Sequence, residues 1–151
     1  MNIKWIAKIH WGKVFFIGLL YTILATIIHN IEAMLTMKYY LMPQYAGLWS
    51  KIMMPSAGPP PLTFFLVSLI MTFTTGISIT IIYYYLRDYL PKGFWHRATY
   101  FADILIATSF VFFTLPVFLL FNVPLVLLGY WFISSFVILV VSSIFIVKLI
   151  Q

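Results

Sequence analysis

The stretch LVLLGYWFISSFVILVVSSIFIV fills residues 125–147 and holds no charged side chain. As a helix its 23 residues rise about 34 Å, and the hydrocarbon core of a bilayer is about 30 Å thick. Backbone in lipid has no water to bond to, so a single segment of this length satisfies its amides only as an α-helix. The β-branched residues do not argue for strands, because barrel strands are short, alternating segments. Working outward, three further apolar runs of similar length occupy residues 14–36, 62–86 and 99–121. The expectation is an all-α membrane four-helix bundle, in one transmembrane domain over residues 1–151.

Composition leads to the same class. Of the 151 residues, 64% are hydrophobic and 8% are charged, whereas soluble domains carry about 25% charged residues. Twelve charges (nine basic, three acidic) do not clothe a water-facing surface. The net charge of +6 would suggest nucleic acid in a soluble protein. Here the basic residues flank apolar runs, so the counter-charge is anionic lipid and no nucleic-acid partner is expected. There is no cysteine, which excludes disulfides and thiolate metal sites. The first apolar run is too long for a signal-peptide core and lacks a small-residue cleavage site, so it reads as a retained span.

Basic residues set the expected orientation. Lys4, Lys8 and Lys13 precede the first span, Arg87, Lys92 and Arg97 lie between spans two and three, and Lys148 follows the fourth. The opposite side has Lys38 and Lys51. Both termini should therefore be cytoplasmic, in a cell membrane. Aromatic side chains mark the interfaces: Trp5, Trp11, Tyr83, Tyr84, Tyr85, Tyr89 and Trp95 on one side; Tyr39, Tyr40, Trp49, Tyr130 and Trp131 on the other.

The external loop, residues 37–61, has internal pattern. Between Pro43 and Pro55, the residues Tyr45, Leu48, Trp49, Ile52 and Met53 recur at helical spacing. This predicts a short interfacial helix over residues 44–54, the alternative being an ordinary surface loop. A stiff run, Pro59, Pro60 and Pro61, leads into span two.

Polar residues inside spans carry the functional signal, because lipid penalises them. In span one Gly18, Thr22, Ala25, His29, Glu32 and Thr36 form a small and polar stripe. Ser68, Thr72, Thr75 and Gly76 do so in span two, Tyr100, Asp103, Ala107 and Thr114 in span three, and Gly129, Ser135 and Ser142 in span four. These faces are expected to form the bundle interior. His29 and Glu32, three apart, share a helix face and suit proton exchange or a polar ligand; they also suit simple mutual satisfaction. Pro116 should loosen span three near its outer end, and Asn122 and Pro124 make a tight turn. The candidate ligand or proton site is thus His29, Glu32, Thr114, Asn122 and Tyr130, roofed by the loop helix. Asp103 and Arg97 form a candidate structural ion pair.

Glu32 and Asp103 differ in depth by roughly 20 Å, so they do not share a metal ion. Only His29 among the three histidines lies well inside a span, which leaves bis-histidine haem without a second ligand in this chain. No nucleotide loop, hydrolase constellation or zinc-protease motif is present. Neither a metal nor a cofactor is expected.

The HNIE motif (His29 to Glu32), the loop residues Tyr39, Tyr40, Leu48 and Trp49, and then Gly76, Pro116 and Trp131 together resemble a pattern found in small uncharacterised bacterial four-span membrane proteins. The resemblance covers most of the chain and implies a fold but no activity. From size, tight loops and scarcity of ionisable groups, the leading expectation is a non-catalytic subunit. It would pack against other membrane proteins, or a second copy of itself, in a larger complex. The alternative is a small transporter or channel component that uses His29 and Glu32.

Overall fold

A computed structural model describes residues 9–55 and 59–150 of the chain. Lys4, Trp5 and Lys8 lie outside the described residues. The first span, α1, runs over Trp11–Tyr40, and α2 over Leu62–Leu86. The third is made of α3 (Phe94–Ser109), a π turn (Phe110–Thr114) and α4 (Leu115–Leu120), and the fourth is α5 (Leu125–Ile150). The four spans measure 30, 25, 27 and 26 residues, or about 38–45 Å each. They are long and apolar enough to cross a bilayer, and form the expected four-helix membrane bundle. Span one is longer than the apolar run 14–36 by one turn at each end, because Trp11, Tyr39 and Tyr40 continue the helix through the interface.

The helices pack in the order α2, α1, α5, α3. Helix α1 lies between α2 and α5, and α5 packs on α1 and α3, whereas α2 makes no substantial backbone approach to α3 or α4. The end that carries the termini is closed. Val14, Ile17, Tyr83, Phe101, Ile146 and Val147 are buried there, and the Tyr83 and Phe101 rings meet edge to face, with centroids 5.1 Å apart. Tyr83 and Tyr84, expected as interfacial anchors, are 1% and 2% exposed. Lys13 Nζ donates to the Leu149 carbonyl at 2.6 Å, satisfying one of the bare carbonyls at the end of α5.

Two glycines let α1 and α2 approach. A Cβ built on Gly76 would lie 2.7 Å from Tyr21 Cβ and 3.0 Å from Gly18 Cα. Small residues at a crossing are what brings helices together in lipid, where no hydrophobic drive exists.

The third span differs from the expected interior. Its buried residues are Ala98, Phe101, Ala102 and Leu105, and none is buried from Ile106 to the end of α4. Tyr100, Asp103 and Ala107, expected inside, are exposed. Aromatic and alanine packing against α5 decides the rotation of this helix, one residue away from the polar stripe. The π turn has a local cause. Pro116 has no N–H, and its ring would press on the carbonyl four residues back, so the helix widens just before it. The Leu115 N–H accordingly bonds to the Phe110 carbonyl, five residues earlier.

The loop contains a short helix, but it is 3₁₀ in form and covers Pro43–Leu48, not residues 44–54. Pro43 supplies a fixed φ at its start. Ser50 ends the run by nucleating a separate turn: its carbonyl accepts from the Met53 and Met54 N–H groups, and its Oγ also accepts from Met53 N–H.

Candidate functional site

Near the end opposite the termini, the failure of α2 to meet α4 leaves a cavity of about 770 Å³. Pockets for small molecules span about 300–1,000 Å³. One wall is α1, with Thr26, His29, Glu32, Ala33 and Tyr40. The facing walls are α2 (Phe64, Ser68, Leu69 and Thr72), the third span (Phe113 and Val117) and α5 (Trp131 and Ser135). Leu48, Trp49, Ser50, Met53 and Met54 of the loop close the top. The loop therefore roofs the cavity, although it is not helical beyond Leu48.

Glu32 is the polar focus. Its side chain is 6% exposed, although it sits in a span. His29 Nδ1 stands 3.3 Å from Glu32 Oε2, with the His29 side chain 53% exposed. Tyr40 Oη donates to Glu32 Oε1 at 3.3 Å, and Trp131 Nε1 donates to Tyr40 Oη at 2.7 Å. A chain of donors thus runs from α5 through the end of α1 to the carboxylate, each bond polarising the next. Trp49 Nε1 donates to the Tyr40 carbonyl at 2.9 Å, fastening the loop to the same helix end. Thr36 Oγ1 donates to the Glu32 carbonyl at 2.7 Å, so its hydroxyl is satisfied locally and does not compete for the carboxylate.

The same three rings form an aromatic wall. Tyr40 and Trp49 have centroids 4.9 Å apart, and each lies 6.4 Å from Trp131. Phe113 adds a fourth ring at 6.3 Å from Trp131. The Thr72 hydroxyl adds little polarity to the cavity, because it is bound to the Ser68 carbonyl of its own helix.

Of the residues expected from sequence, His29 and Glu32 come together at the cavity. Thr114, Asn122 and Tyr130 do not line it; their neighbours Phe113, Phe121 and Trp131 do. One residue on a helix is a rotation of about 100°, which sequence spacing alone does not resolve between adjacent positions. Asp103 and Arg97 make no ion pair with each other. Arg97 Nε donates to the Pro91 carbonyl at 3.3 Å, and Asp103 lies on the exposed face of α3. Tyr40, Trp49 and Trp131 were legible as interfacial aromatics but not as partners of Glu32. The available signal was the polar N–H or O–H tip that each must satisfy. Among the described residues no group of three or more His, Asp or Glu converges as a metal site would require.

No protein-family model, curated protein or solved structure matches this chain. The resemblance to small four-span bacterial proteins rests on its motif pattern alone, and the geometry of the cavity carries the functional argument.

Proposed function

We propose that this chain is an integral membrane protein that binds an amphiphilic ligand in the cleft between α2 and α4, with Glu32 as the polar anchor. The observation that carries this reading is a buried carboxylate in the wall of a largely apolar cavity that helix packing leaves unfilled. A lipid-embedded acid is costly and seeks partners, and Glu32 has two, each at 3.3 Å, while standing in the cavity wall. The reading is one of binding, with Glu32 and its partners His29 and Tyr40 at the polar part of a largely apolar wall.

With the basic residues Lys13, Arg87, Lys92, Arg97 and Lys148 at the termini end, the proposal puts that end in the cytoplasm and the cleft in the outer leaflet of a cell membrane. The expectation of an accessory subunit gains nothing from the apolar outer faces of the helices. Acyl chains cover such faces as well as a protein partner does.

An alkyl diazirine in reconstituted vesicles tests the proposal. Ser68, Thr72 and Val117 should be photolabelled, and Thr72→Phe should reduce labelling of the other two. Labelling confined to outward residues such as Met71 and Leu119 would overturn it; these are 64% and 74% exposed.

A further inference from the structure

The cleft is selective in its charge. Glu32 is the single acid among its described lining residues, and no lysine or arginine lines it. A chain of net charge +6 thus encloses one formal charge of the opposite sign. An ionised carboxylate has about four acceptor sites, and the structure fills one on each oxygen, both at 3.3 Å. Tyr40 brings no full charge, and His29 makes one long contact from a half-exposed position. The carboxylate retains open acceptor positions in a medium where an uncompensated charge is expensive.

A second, independent feature points the same way. Tyr40, Trp49 and Trp131 line the same cavity as this carboxylate, Tyr40 touching it through its hydroxyl, and tryptophan is the best of the aromatic rings at attracting a cation. An anionic head would meet Glu32 with no lysine or arginine on the wall to offset the repulsion, and with His29 already turned to Glu32. Across the cavity from Glu32, Phe64, Leu69, Phe113 and Val117 offer apolar surface.

We infer that the ligand is a lipophilic ammonium ion: a protonated nitrogen held by Glu32 and the Tyr40, Trp49 and Trp131 wall, carrying an aliphatic body that lies between α2 and α4. This rests on the cleft being a ligand site, as proposed above. A primary ammonium fits best, because its three N–H donors match the vacant carboxylate lone pairs. A phosphate-bearing zwitterion fits worse, because no lysine or arginine lines the cleft and His29 is already engaged by Glu32.

The test uses the full chain in neutral maltoside micelles, with Trp5→Phe, Trp11→Phe and Trp95→Phe so that Trp49 and Trp131 report. Dodecylammonium, dodecanol and dodecyl sulfate are titrated against tryptophan emission. Dodecylammonium should bind saturably, at least tenfold more tightly than either of the others, and Glu32→Gln should remove most of that preference. The comparison of head groups on the chain with native Glu32 holds even where Glu32→Gln fails to fold. Equal binding of all three probes, abolished by Thr72→Phe, would overturn the cation while leaving the cleft. Saturable binding of none would overturn both. Two sources of such an ion, a resident amino lipid and an amine arriving from water, are separated by mass spectrometry of protein extracted from its own membrane. A retained long-chain amine marks the first source. An empty protein that takes up added dodecylammonium marks the second.

Discussion

Tyr40 joins α1, α5 and the loop through one residue: its hydroxyl accepts from Trp131 and donates to Glu32, and its carbonyl accepts from Trp49. Tyr40→Phe removes the hydroxyl and strands two partners at once. Interhelical hydrogen bonds in membranes average about 0.6 kcal/mol, with about 1.7 at the upper end. A loss of about 1 kcal/mol is expected from thermal unfolding in detergent. Trp131→Phe should cost a similar amount, and the double variant should cost less than the sum, since both remove the same bond. At this scale the sequence was legible for His29 and Glu32, whose three-residue spacing permits one geometry on a helix. It was not legible for Trp131 against Tyr130, or Phe113 against Thr114. These neighbours differ by about 100° on a helix, and the choice is made by packing with elements remote in sequence.

The crossing of α1 and α2 depends on Gly18 and Gly76. A side chain at position 76 meets the Cβ of Tyr21, which is rooted in its own helix and does not swing away. Gly76→Leu should therefore push the helices apart and destabilise the protein by about 1–3 kcal/mol, read as a lowered melting temperature. Gly129→Ala is the control, because nothing lies within 4 Å of a Cβ there. The elements themselves were largely legible. Residues 62–86 are the bounds of α2 in both sequence and structure. Hydrocarbon thickness and composition fix such bounds without reference to the rest of the fold. Pro116 foretold a disturbance in span three, and the π turn is its form. The loop was harder. Apolar spacing from Tyr45 to Met53 matched a helix, yet the Ser50 turn ends it early, because a local side-chain bond competes with helix continuation.

For the molecule as a whole, the packing order α2, α1, α5, α3 closes the termini end and leaves the other end open between α2 and α4. Polar patterning suggested a bundle with the four polar stripes inside. Thr72, Thr74, Thr75 and Ser78 of α2 instead bond back to carbonyls of their own helix, four residues earlier. A hydroxyl satisfied in this way is tolerated on either face: Thr80 and Ser142 bond back and are buried, Thr74 and Thr75 bond back and are exposed, so a polar stripe does not by itself set the rotation of a helix. Orientation is open to direct test, since the chain has no cysteine. Lys51→Cys should react with a membrane-impermeant maleimide on intact cells, and Lys92→Cys only after permeabilisation; the reverse pattern would invert the cleft to the inner leaflet. The open cleft is the central claim, and Trp131 is its natural reporter. In a chain keeping Trp131 as its sole tryptophan, lipids brominated along the acyl chain should quench its emission strongly, because acyl chains enter between α2 and α4 and reach the cavity wall. Emission from Trp131 that stays unquenched at every bromine depth would mean that α2 and α4 close against each other, and would contradict the account.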